Sequence, residues 1–137
     1  MIKRVFIVAM LCMVALAATP AQDRVIEYLK AAIQLNEQNQ YEASLELCDR
    51  ALQLEPALSS AWFLRGYNHY RLEKYQEAII DFSVALHYQK NYSDAYYYRG
   101  KSHQASGSYY QALLDLNKAR KLDPGRATVL MLRGIFR

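Results

Sequence analysis

Apolar side chains along this chain recur at intervals of three and four residues, in blocks separated by short polar turns, which is the pattern of amphipathic helices. Asp23 is placed to cap a first helix reaching about Gln38, with Ile26, Leu29 and Ile33 on one stripe and Tyr28, Ala32 and Leu35 on another. Asn39-Gln40 makes a polar turn, and Tyr41 to Leu54 reads as an antiparallel return helix closed by Pro56, which cannot continue one. Ser59 or Ser60 caps the next helix, through about Leu72; Glu73-Lys74 turns the chain and Tyr75 to Tyr88 returns it. Ser93 caps a third pair, whose turn is Ser106-Gly107-Ser108 and whose second helix ends near Lys121, ahead of Asp123-Pro124-Gly125. Ala127 to Phe136 begins a seventh helix.

These pairs are copies of one another. Arg65-Gly66 returns after 34 residues as Arg99-Gly100 and again as Arg133-Gly134, and Tyr75, Ala78, Asp81 and Ala85 return as Tyr109, Ala112, Asp115 and Ala119. An upstream copy keeps the phase with Ala32, Tyr41, Ser44, Cys48 and Ala51, and Pro56 matches Pro124 two units on. The period and the residue types at these offsets resemble the tetratricopeptide repeat, over residues from about Val25 to the C-terminus. The resemblance implies an all-α fold: a right-handed superhelical solenoid of antiparallel helix pairs, with units at about 25–58, 59–92 and 93–126 and a partial fourth at 127–137. Packing explains the recurrence, because Ala32, Gly66 and Gly100 let the first helix of each pair approach the second, where Ala51, Ala78, Ala85, Ala112 and Ala119 answer them. A bulky residue at Gly66 or Gly100 is expected to cost about 1 to 3 kcal/mol by overpacking. Tyr28, Trp62, Tyr96 and Leu130 stand four residues ahead of the small position on the same face, so Trp62 reads as a core wedge.

Composition changes this picture little, with 53% apolar and 22% charged residues giving the balance of a chain that buries a core, and five Gly and three Pro leaving room for long helices. Met1 to Ala21 changes it more. Lys3 and Arg4 precede an apolar run from Val5 to Ala17, and Ala15-Leu16-Ala17 or Thr19-Pro20-Ala21 supplies a small-residue cleavage site, the layout of a secretory signal peptide (1–21) ahead of a repeat domain (22–137). The run falls short of the roughly 20 residues that span a bilayer, so no membrane span is expected after cleavage. Export follows, to the periplasm or cell envelope or out of the cell. Without Lys3 and Arg4 the formal charge drops from +4 to +2, spread unevenly: Gln22 to Tyr92 is acidic and Ser93 to Arg137 basic. Cys12 lies in the leader, which leaves Cys48 without a disulfide partner. It stands where Phe82 and Leu116 stand in the other units and so reads as a small buried hydrophobe.

Little here carries chemistry. His69 and His103 share one repeat position, but neighbouring repeats lie about 8 to 10 Å apart, too far for two nitrogens each about 2 Å from one zinc ion, and nothing is placed to complete the ligands. No phosphate-binding loop follows a strand, and no Ser or Cys has a His and an acid at a recognisable spacing, so neither an enzyme nor a cofactor is expected. Nucleic-acid binding is disfavoured too, since most of the 12 Tyr recur at packing positions and the net charge is low. Arg65 and Arg99 come with Asp81 and Asp115, while the first unit has Ala31 and Leu47 at those places. That joint presence and absence points to structural ion pairs, either within a unit or across units as Asp81 with Arg99 and Asp115 with Arg133.

The function implied by the resemblance is that of an adaptor or assembly module holding a protein or peptide partner on the concave face, which the first helix of each pair lines. Phe63, Tyr67, Tyr70 and Tyr97 are expected to share that groove, bordered by the donors Arg71, Lys101 and Gln104. Such a patch suits a segment with apolar side chains and an acidic or carbonyl-rich edge. The Lys and Asn that family members use to grip the C-terminal carboxylate of chaperones are absent, since Leu29 and Ile33 stand at those positions. The alternative is a structural component of an envelope complex, self-associating through the apolar residues Leu130, Leu132 and Phe136 of the C-terminal helix.

Overall fold

The computed structural model describes residues 20–125, which form six helices: α1 (Pro20–Glu37), α2 (Tyr41–Leu54), α3 (Ser59–Arg71), α4 (Tyr75–Tyr88), α5 (Ser93–Ala105) and α6 (Tyr109–Leu122). The leader before Pro20 and the partial unit at 127–137 lie outside the described residues. Consecutive helices pack as the pairs α1/α2, α3/α4 and α5/α6, each pair packs on the next, and the first helices also touch one another, α1 with α3 and α3 with α5. This is a helical repeat solenoid, as the 34-residue period predicts.

Helix ends follow backbone geometry more than side-chain caps. Asp23 is no cap: it lies inside α1, which is already helical from Pro20, the first described residue. Nor do the serines cap. Leu58 and Tyr92 occupy the cap positions of α3 and α5, with no side-chain hydrogen bond there. Ser59 Oγ instead donates to Gln89 Oε1 (2.8 Å), and Ser93 Oγ donates to the carbonyl of Ala119 (3.2 Å), so these serines tie helices together. Each intra-pair turn closes in one way. Asn39, Glu73 and Gly107 adopt φ of 62°, 60° and 83°, and the amides that follow, those of Gln40, Lys74 and Ser108, donate to the carbonyls of Leu35, His69 and His103, each at 2.8 Å. That pairing is the Schellman stop, which needs one left-handed residue and here recurs every 34.

The core runs between the helices of a pair and on into the next pair, as the cluster across α4 and α5 shows. Ala78, Phe82, Leu86 and Ala95 form a buried cluster, with Phe82 fully buried. A Cβ built on Gly66 would lie 2.9 Å from Phe82 Cε1, and one on Gly100 3.0 Å from Leu116 Cγ and 3.2 Å from the carbonyl oxygen of Ala112, so both glycines are required by close approach. Cys48 is wholly buried, and burial pushes its thiol up to about 12, which keeps it protonated and unreactive. Trp62 is not the expected core wedge. It is half-buried at the seam between α2 and α3, its Nε1 donating to the carbonyl of Pro56 (2.7 Å) and its ring lying under Arg65, because an indole needs a partner for its N–H.

Between the first two units runs a buried polar chain that the sequence pattern does not announce. Asn36 Nδ2 donates to Oδ1 of the fully buried Asn68 (2.7 Å), Asn68 Nδ2 donates to Ser44 Oγ (2.8 Å), and Ser44 Oγ donates to the carbonyl of Ala32 (2.7 Å). Every member is satisfied, so the chain fixes the register of α1, α2 and α3 without leaving a buried orphan.

Candidate functional site

Because the small residues draw each first helix onto its return helix, α1, α3 and α5 come side by side, and residues 34 apart line up across them. Ile33, Tyr67 and Lys101 form one such row, and Leu29, Phe63 and Tyr97 another. The rings meet where α3 faces α5. Tyr67 is edge-on to Tyr98 at 5.0 Å, Phe63 stacks on Tyr92 at 4.9 Å and lies 5.6 Å from Phe82, and Tyr70 lies 5.6 Å from Tyr98 and 6.0 Å from Tyr75. Pairs at these distances add roughly 0.5 to 1.5 kcal/mol each beyond the area they bury.

The seven groove residues expected from the sequence separate by exposure. Phe63, Tyr67, Tyr70 and Lys101 are half-buried, and Arg71 and Gln104 are exposed. Tyr97 is only 8% exposed, so its ring belongs mainly to packing. The hydroxyls of Tyr67, Tyr70 and Tyr98 have no hydrogen-bond partner among the described residues, and their rings are sheltered. Burial holds the phenols of Tyr98 (pushed up to about 12), Tyr70 and Tyr97 above the ordinary value, and all three stay neutral donors at physiological pH. Arg71 reaches back one unit: its Nε donates to Tyr41 Oη (3.0 Å) and its guanidinium lies 5.4 Å from the centre of that ring. Lys101 has no carboxylate within ion-pair distance among the described residues. Sequence reasoning missed Tyr98, the hub of the ring cluster. Its repeat equivalents, Lys30 and Leu64, carry no aromatic signal.

Beneath this face Arg65 and Arg99 each pair with the Asp of their own unit. Arg65 Nε lies 3.2 Å from Asp81 Oδ2, and Arg99 grips Asp115 through Nε and NH2 at 2.8 Å each. Each arginine also crosses to the preceding unit through NH1, Arg65 to Asp49 (2.9 Å) and Arg99 to Ser83 Oγ (3.1 Å). His69 Nδ1 lies 2.7 Å from Asp81 Oδ2, whereas His103 Nε2 is 3.9 Å from Asp115 and its buried Nδ1 has no partner among the described residues. Burial raises the Asp81 carboxyl despite Arg65 and His69, and burial lowers the His103 imidazole. No group of three metal-ligating side chains occurs among the described residues. No helix there is long and apolar enough to cross a membrane.

No protein-family model matches the sequence, and no curated protein does. Solved structures do match. The chain superimposes on the second TPR domain of human RPAP3 in complex with the HSP70 peptide SGPTIEEVD with a TM-score of 0.76 at 23% identity, over 85% of this chain and 98% of that one. The Arabidopsis OM64 TPR domain gives 0.76 at 21% identity over 81% and 93%, and the first TPR of Spaghetti (RPAP3), bound to the HSP90 peptide SRMEEVD, gives 0.75 at 19% over 81% and 90%. The chain has the tetratricopeptide-repeat fold. Its first-helix face is therefore the concave side of a TPR solenoid, and the pairs beneath it are the scaffold that holds that side in shape.

Proposed function

We infer that this protein is an exported TPR module that binds a peptide or partner protein along its first-helix face and catalyses no reaction. The observation that carries the reading is the sheltered set of rings around Tyr67, Tyr70 and Tyr98, whose hydroxyls have no partner among the described residues, bordered by Arg71, Lys101 and Gln104. Rigid aromatic surface with a donor rim is what interaction sites use to gain area at low entropic cost. The RPAP3 domains with the same fold hold HSP90 and HSP70 peptides. Here Leu29 and Ile33 replace the chaperone-gripping Lys and Asn, which argues for a different partner. Export rests on the leader-like Met1 to Ala21, with Ala15-Leu16-Ala17 or Thr19-Pro20-Ala21 as the cleavage site. The test is capture of a partner from the cell-envelope fraction, compared with the double variant Arg71→Ala and Gln104→Ala. Both residues are exposed, so capture should fall at least tenfold while the melting temperature stays put; unchanged capture sinks the groove assignment.

A second reading, self-association, draws on one feature. Tyr109, Tyr110, Leu113 and Leu114 on α6 are 52 to 71% exposed, an apolar patch on the last described helix. Light scattering of the mature chain separates the two readings, since a concentration-dependent mass supports this one and a constant monomer removes it.

A further inference from the structure

The outer face of the solenoid, made by the return helices α2, α4 and α6, changes character from one end to the other. Residues 34 apart form rows across it, Glu46 with Ile80 and Leu114, and Arg50 with Val84 and Lys118. At its centre Ile80 is 61% exposed, and with Ile79, Ser83, Val84, His87 and Tyr88 it lines a shallow groove of about 490 Å³. Tyr110 and Leu114, both exposed on α6, widen this apolar surface. Charge lies to either side. Glu42 and Glu46 are exposed toward the start of α2, and Lys118 and Lys121 toward the end of α6, whose own acid, Asp115, is buried on Arg99. Glu42, Lys118 and Lys121 have no ion-pair partner among the described residues, and Glu46 holds the exposed Arg50 of its own helix (2.8 Å), a pair that contributes little in water. Because the return helices run parallel, the acids and the lysines occupy opposite corners of the face, diagonally across Ile80 and Val84.

We propose that this outer face is the contact between two copies of the chain, related by a two-fold axis that passes through Ile80. The proposal rests on the self-association reading above and gives it a surface and a symmetry. Charge complementarity carries it. A two-fold axis lying in the face, perpendicular to the line that joins the two corners, sets each copy's Glu42 and Glu46 over the other's Lys118 and Lys121 and brings Ile80 onto its own counterpart, so one patch is complementary to itself. A lipid surface or a partner of one sign would be repelled at one corner, whereas a second copy matches both. The face curves away on either side of α4, so the apolar contact centres on that helix and the long Lys and Glu side chains close the flanks.

The experiment is sedimentation velocity of the purified chain, in the form in which the cell leaves it, up to about 1 mM protein. The mass should rise with concentration and stop at the dimer, because a two-fold contact closes on itself. Reversing the acids (Glu42→Lys with Glu46→Lys) or the lysines (Lys118→Glu with Lys121→Glu) should each weaken the dimer at least tenfold, with helicity unchanged since all four side chains are exposed. Mixing the two reversed variants should recover association as a heterodimer, each copy supplying the charge that the other now needs. Ile80→Glu should abolish the dimer. A constant monomer up to that concentration overturns the proposal and the self-association reading together, whatever else the face then holds. Growth beyond the dimer, indifference to either charge reversal, no recovery on mixing, or a dimer that survives Ile80→Glu overturns the proposal alone and leaves self-association to another surface.

Discussion

The second and third units share their period, their Arg-Gly, their His and their Asp, yet they settle the same four residues differently. Asp49 stands at the seam of the second unit, so Arg65 divides its guanidinium between Asp49 and Asp81, and His69 Nδ1 shares Asp81 Oδ2 with it at 2.7 Å. Ser83 stands at the equivalent place before the third unit. A neutral hydroxyl holds Arg99 less strongly than a carboxylate, Arg99 takes both oxygens of Asp115, and His103 is left 3.9 Å away with a buried nitrogen unpartnered among the described residues. One residue in the preceding helix thus decides the hydrogen bonding of a whole unit. The lesson is that equivalence in a repeat extends to position and stops short of electrostatics.

That contrast can be strained hardest at the core. Phe82→Ala removes a fully buried ring and should cost about 3 to 5 kcal/mol, whereas Leu116→Ala at the half-buried counterpart should cost less, about 2 to 3 kcal/mol, both read by chemical denaturation. Equal losses would mean the two units are packed alike. Gly66→Ala comes next, at about 1 to 3 kcal/mol, because its Cβ would meet the buried Phe82 ring at 2.9 Å; Gly100→Ala should fall in the same range, with a backbone oxygen at 3.2 Å that has less room to give.

Converting one seam into the other sharpens the comparison directly. Asp49→Ser should change stability by less than about 1 kcal/mol, since the Arg65–Asp49 pair is largely exposed. It should also free Arg65 to grip both oxygens of Asp81 and displace His69, which a crystal structure of the variant would show. Glu73→Gly relieves a non-glycine residue held at φ 60° and should raise stability by about 0.5 to 1 kcal/mol, while Gly107, already at φ 83°, offers no such gain in the third unit.

Acid response is the finest probe. Burial lowers the folded pKa of His103 below its unfolded value, so the stability it supports is present above the ordinary His range and is lost as pH falls through that range toward the folded pKa. The raised Asp81 carboxyl acts with the opposite sign, favouring the fold in more acidic solution and losing that contribution as pH rises through its folded pKa. Melting temperatures measured from about pH 7.5 down to about 5, across the ordinary His range, should therefore fall less in His103→Gln than in the parent chain. An identical fall in both would remove His103 as the sensitive group.

Much of the fold could be read directly from residue order, because a repeat repeats its constraints. Return helices Tyr41–Leu54 and Tyr75–Tyr88 fell where the apolar spacing put them, as did the close approach at Gly66 and Gly100. Cap positions did not, since a serine beside a helix start can bond either its own helix or a neighbour, and Ser59 and Ser93 bond neighbours. The site was readable as a stripe and misread at single positions. Helical spacing placed Phe63, Tyr67 and Tyr70 together, but Tyr97 is largely buried and Tyr98, outside the stripe, is the residue that joins them.

Sequence alone determined the period, the helix pairs and the small residues that let them close, because those depend on local propensity and on sterics repeated every 34 residues. Tertiary structure decided which of two permitted Arg–Asp pairings forms, which tyrosine is buried and where Asn68 finds its partners. Those outcomes depend on distances between residues 16 to 32 apart in the chain, set only when neighbouring helices dock.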